Sequence, residues 1–229
     1  LTCWYSRKVL LFLILRAYTC CHRFAGTRRE GMPQGCLPVL KNKNAFNLEI
    51  ANLFLLKNDY TSMLNAYLDE APYQANNLSI IETGLQKGFT DEKAKDALEK
   101  ELLKRTQSNK NELVYQDLLV WLYMQRNDFD GAILQSKSLD LLRNEDGGNV
   151  MRIAKTAALN KDYDAAIKGY QYVVNKGAQS SWFVNANLEL INVKRDKIVN
   201  SPNYTKEQLY SLKETYQEFI KNYNNDYTS

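Results

Sequence analysis

Lys161-Asp162-Tyr163-Asp164-Ala165-Ala166-Ile167, with Tyr170 close behind, is the stretch that decides how this chain is read. It has two relatives upstream, Asn58-Asp59-Tyr60 and Asn127-Asp128-Phe129. The aromatic residues of the last two phrases lie 34 residues apart, and those of the first two lie 69 apart, about twice that. A fixed period of this size marks stacked supersecondary units, none of which buries its apolar face alone. Each phrase separates two amphipathic segments. Leu113, Leu118, Leu119, Leu122 and Tyr123 precede one phrase, and Ile167, Tyr170, Val173 and Val174 follow another. Spacings of three and four put such side chains on one helical stripe. The polar phrase supplies the turn: its Asp caps the next helix and its aromatic packs back on the pair.

These residues resemble the tetratricopeptide repeat family, in which each unit of 34 residues is a helical hairpin. The stretch Gly147–Ser180 carries the resemblance furthest, with its turn, its aromatics Tyr163 and Tyr170, and the small residues Ala154 and Ala166. In Leu113–Asp146, Leu119, Tyr123, Phe129 and Ala132 fit, while Val120 and Ser136 depart. In Asn44–Asn77, Ala51, Phe54, Tyr60 and Tyr67 fit, while Met63 stands in place of a small residue. The family's Trp near the unit start and its closing Pro are missing from these copies. The resemblance implies an all-α fold, an α-solenoid of stacked helical hairpins with a superhelical concave face, over units of about 44–77, 78–112, 113–146, 147–180 and 181–229.

Between the clearer copies, Asn77–Gly88 and Thr90–Arg105 read as a helical pair, with Thr90 as its cap. Glu99, Lys93, Glu101 and Lys104 read as a solvated charged face. Ser181–Val199 reads as a long helix, and Thr205 with Gln208 forms a capping box for a last helix ending near Tyr223. The closing Asn-, Asp- and Tyr-rich run resembles an inter-unit loop, which leads us to expect that the natural chain continues past Ser229.

The first forty residues are different in kind. All four Cys (Cys3, Cys20, Cys21, Cys36), the single His (His22) and half of the Arg residues lie there. Six basic residues against Glu30 give residues 1–36 a charge of +5, so a chain of net charge +4 leaves −1 for everything after it. Arg7-Lys8 followed by Val9–Leu15 has the order of an export signal, but the run is short, no convincing cleavage site follows, and a non-native or disordered start is the competing reading. Residues 1–40 are therefore set apart as an atypical leader, with periplasmic or envelope placement if it is a signal and cytoplasmic placement otherwise.

Chemistry is sparse in residues 41–229. With no His and no Cys after residue 36, neither a Ser-His-acid nor a Cys-His constellation forms within that region. The adjacent Cys20-Cys21-His22 lacks metal-site spacing, and neither a Gly-rich phosphate loop nor a cofactor motif occurs. Paired acids such as Asp69/Glu70 and Glu99/Glu101 read as helix-surface charges rather than as a catalytic dyad. The expectation is a non-catalytic scaffold binding a protein or peptide, with no cofactor, no metal and no nucleic acid. Placing the family's pattern on this sequence directs Asp117, Trp121, Met124, Met151, Arg152, Lys155, Asn185 and Glu189 to the concave side. Arg152, Lys155 and Asn185 there suit a carboxylate or acidic segment. Two alternatives stand beside this: an RNA-binding helical repeat, against which the near-neutral charge argues, and an all-α carbohydrate-active enzyme.

Overall fold

The computed structural model describes residues 46–89 and 91–223. The leader with its Cys and His residues, Thr90, and the closing run after Tyr223 lie outside the described residues. Everything regular among the described residues is helical. The ten α-helices there are α1 (Asn47–Leu56), α2 (Tyr60–Glu70), α3 (Ser79–Gln86), α4 (Glu92–Ser108), α5 (Val114–Gln125), α6 (Phe129–Arg143), α7 (Gly148–Leu159), α8 (Tyr163–Asn175), α9 (Phe183–Val199) and α10 (Lys206–Tyr223). A 3-10 segment, Ala71–Asn77, precedes α3. No helix among the described residues is long and apolar enough to cross a membrane.

The three recurring phrases adopt one turn. Asn58, Asn127 and Lys161 take left-handed backbone conformations, with φ of 58°, 55° and 63°. The next residue is an Asp whose backbone N–H donates back into the preceding helix. Asp59 bonds the carbonyl of Phe54 at 2.9 Å, Asp128 that of Tyr123 at 2.9 Å, and Asp162 that of Ala157 at 3.0 Å. This closes one helix in a Schellman-type stop. The same Asp opens the next helix: its carboxylate accepts from the N–H of Ser62 (3.1 Å), Gly131 (2.9 Å) or Ala165 (3.1 Å). Stop and start share one residue, so the loop is short and the two helices must fold back on each other.

The chain divides into two compact units, Leu1–Glu70 and Ala71–Ser229. In the first, α1 and α2 pair around Ala51, Met63, Tyr67 and Leu68. Tyr67 also donates its hydroxyl to the Asn52 side-chain oxygen at 3.3 Å.

In the second unit each helix from α4 onward packs on the next, and α6 also meets α8. One core runs through α6 to α9, holding Phe129, Ala132, Ile133, Val150, Ile153, Ala154, Ala166, Tyr170, Val173 and Leu190. Small residues let the backbones approach. A Cβ on Gly169 would lie 2.7 Å from that of Ala154 and 3.2 Å from Ile133 Cδ1. Polar bonds then join each hairpin to its successor. Asp130 pairs with Lys168 at 2.9 Å, Asp164 pairs with Lys197, and Asp146 accepts from the Ser181 N–H at 2.9 Å and from its hydroxyl. Asp140, fully buried, accepts from the Gly147 N–H (2.7 Å), the Tyr172 hydroxyl (2.7 Å) and the Lys176 ammonium (2.5 Å). Three donors on one buried carboxylate offset the cost of desolvating it. At the far end α10 contributes no fully buried side chain among its described residues, and Leu209, Tyr210 and Ile220 stay exposed. Thr205 and Gln208 form the expected capping box there, at 2.9 and 3.3 Å.

The intermediate pair differs from its reading. Asp91, in extended backbone, caps α4 by accepting from Ala94 N–H at 2.9 Å. Helix α3 packs on the 3-10 segment, while α4 packs on α5. Glu99 is not simply a solvated charge. Tyr123 donates its hydroxyl to it at 2.9 Å and Arg126 pairs with it at 2.5 Å, while Arg126 also reaches Asp96 at 2.6 Å. The physical reason is the α4–α5 packing, which lays the end of α5 along the acidic side of α4.

Candidate functional site

The second unit carries a cleft of about 680 Å³. Helix α5 supplies Asp117, Val120, Trp121 and Met124, one side of a single helix at spacings of three and four. Leu78 and Glu82 come from the 3-10/α3 segment, Leu139 and Arg143 from α6, and Asn149 and Arg152 from α7. Trp121 stacks on Phe89 with ring centroids 5.6 Å apart and planes inclined by 28°. That contact holds the indole in place and makes it an anchoring surface at little entropic cost.

The charges are arranged in two ways. Arg143 clamps Asp117 through both guanidinium nitrogens, at 2.9 and 2.5 Å, a bidentate pair, and also reaches Glu145 at 3.7 Å. Glu82 and Arg152 are left. They feel each other's charge, but among the described residues neither side chain takes part in a hydrogen bond or ion pair. Burial is the main cause that pushes the Glu82 carboxyl above its ordinary value; Asp117 adds to it, and Arg152 pulls the other way. The cleft thus offers apolar surface, an indole, one open carboxylate and one open guanidinium.

Of the eight residues singled out in the sequence, Asp117, Trp121, Met124 and Arg152 come together here. Met151 is buried in the core with Ile153 and Ala154. The turn of α7 that brings Arg152 to the cleft carries Met151 into the core. Lys155 is exposed on α7, outside the cleft lining, and Asn185 and Glu189 sit on α9, also outside it. Glu189 lies close enough to Tyr170 to raise that phenol, although burial is the larger cause and takes it to about 12. Sequence reasoning missed Glu82 and Arg143. Asp117 and Arg143 are 26 residues apart, and no local signal ties them. Among the described residues no group of His, Cys, Asp and Glu side chains is arranged to hold a metal ion. No protein-family model matches the chain, and no curated protein matches it in sequence.

Proposed function

We propose that this chain is a non-catalytic interaction scaffold of tetratricopeptide-repeat type, whose helical hairpins stack as a solenoid and hold a peptide or partner protein in a groove. The observation that carries this reading is the cleft itself. Four residues of one helix, Asp117, Val120, Trp121 and Met124, line it beside unpaired Arg152. An indole pinned by Phe89 with flanking aliphatic groups suits the apolar side chain of a linear segment. The 34-residue spacing between the equivalent turns at Phe129 and Tyr163 supports the repeat reading.

A random peptide library displayed on phage tests it. Selected peptides should bind the chain in solution and compete with one another. Trp121→Ala should weaken them by about 10-fold, the scale of losing a central aromatic anchor, with the helical circular dichroism unchanged. Failure to select any peptide, or selected peptides indifferent to Trp121→Ala and Met124→Ala alike, would overturn the reading.

A further inference from the structure

We propose that the cleft recognises a two-pole segment: a polypeptide partner presenting a basic side chain to Glu82 and Trp121 and an acidic side chain to Arg152. This rests on the groove reading above and narrows its partner. Four charged groups line the cleft, two of each sign. Asp117 and Arg143 are spent on each other, joined by two hydrogen bonds. Glu82 on α3 and Arg152 on α7 come from different walls, and among the described residues each lacks a hydrogen-bonding or ion-pairing side chain.

Glu82 is half-buried, with burial the main force on its carboxyl and no side-chain donor bonded to it among the described residues. A partner's ammonium or guanidinium would find an open acceptor there. Trp121 lines the same cleft, and a cation over an indole face is attracted by the ring quadrupole. Arg152 keeps a fork of donors that fits a carboxylate in two bonds. A purely acidic visitor would satisfy Arg152 while standing beside Glu82. A purely basic one would satisfy Glu82 while standing beside Arg152. Only a visitor carrying both signs, in matching order, avoids the like-charge contact at each wall. An apolar residue between its charges would meet the apolar lining, Val120 and Met124 among it.

The test uses the whole chain and four capped tripeptides: lysine–leucine–aspartate, lysine–leucine–asparagine, glutamine–leucine–aspartate and glutamine–leucine–asparagine. Binding is followed by the Trp121 indole resonance. At low salt the doubly charged peptide should bind about 10-fold tighter than either singly charged one, and high salt should shrink that margin. Glu82→Gln should erase the advantage of lysine alone, and Arg152→Gln that of aspartate alone. The proposal is overturned if glutamine–leucine–aspartate binds as well as lysine–leucine–aspartate, if Glu82→Gln leaves the lysine preference intact, or if no peptide shifts the indole. Phage selection of uncharged peptides that still depend on Trp121 would sink the two-pole partner and leave the groove standing; failed selection sinks both.

Discussion

Lys161 stands where its two counterparts are asparagines. Its φ of 63° matches Asn58 and Asn127, yet lysine has no side-chain amide to ease a left-handed backbone. An ordinary L-residue there costs roughly 1–2 kcal/mol relative to the right-handed region. Glycine removes that cost but returns about 0.4–1 kcal/mol through the freedom it gives the unfolded chain. Lys161→Gly should therefore stabilise by about 0.5–1 kcal/mol. Lys161→Asn should do similarly, because asparagine tolerates this region. Lys161 is exposed, and its side chain holds no hydrogen bond or ion pair among the described residues, so nothing is lost with it. For a chain of this size the gain corresponds to a Tm rise of about 1–4 °C. Urea unfolding followed by circular dichroism would show a higher midpoint at constant slope. Lys161→Ala is the control: it keeps the backbone cost and should be neutral. Asn127→Lys, at the equivalent turn, should destabilise by a similar amount. A neutral Lys161→Gly, or a stabilising Lys161→Ala, would show that the turn does not carry the strain assigned to it.

Gly169→Ala should cost about 1–3 kcal/mol by overpacking against Ala154, and adding Ala154→Gly should recover part of it in a double-mutant cycle of unfolding midpoints. Asp140→Ala should be far worse, about 3 kcal/mol or more, because it strands the Lys176 ammonium and the Gly147 N–H beside a buried space; thermal unfolding reads it directly. Removing one shared turn carboxylate, as in Asp128→Ala, should cost about 1 kcal/mol by the same measurement. Burial first, and the hydrogen bond to Glu99 second, push the Tyr123 phenol up to about 12, so the folded state keeps a proton that the unfolded chain releases near 10. The stability this contributes is complete below pH 10 and disappears as the pH climbs from 10 toward 12. Absorbance at 295 nm should show Tyr123 ionising late, and Tyr123→Phe should flatten the alkaline fall in stability.

The hairpin turns are legible in the sequence because their physics is local. A polar residue (Asn58, Asn127 or Lys161), an Asp and an aromatic occupy three consecutive positions, and those three do all the turning. The stripe of Leu118, Leu119 and Leu122 is legible for the same reason. What escapes depends on contacts between elements distant along the chain. Glu99 looks like a free surface acid until α5 brings Tyr123 and Arg126 to it. Arg143 looks like an ordinary helix-end cation until it closes on Asp117. Glu82 holds the fifth place of unit 78–112, as Asp117 and Met151 do of theirs, but that unit lacks the Asp-aromatic turn phrase that fixes the register elsewhere. Ala154 announces a close approach, but only the packing shows that Gly169 is the opposing surface. Met151 shows the limit of a template from the other side, since it holds the place of Asp117 in its own unit and yet packs into the core.

The aspartates after the turn aromatics, Asp130 and Asp164, hold equivalent places 34 residues apart, and each grips a lysine of the following helical layer. Excising residues 147–180 would bring Asp130 to the place Asp164 vacates, facing Lys197. Inserting a second copy of the same segment would give the first copy's Asp164 a fresh Lys168 to hold. These two joints are interchangeable in the manner of couplings on a train, but Asp140 makes the exchange one-way: its donors Gly147, Tyr172 and Lys176 all lie in 147–180, so a second copy keeps them while excision leaves a buried carboxylate stranded at the seam.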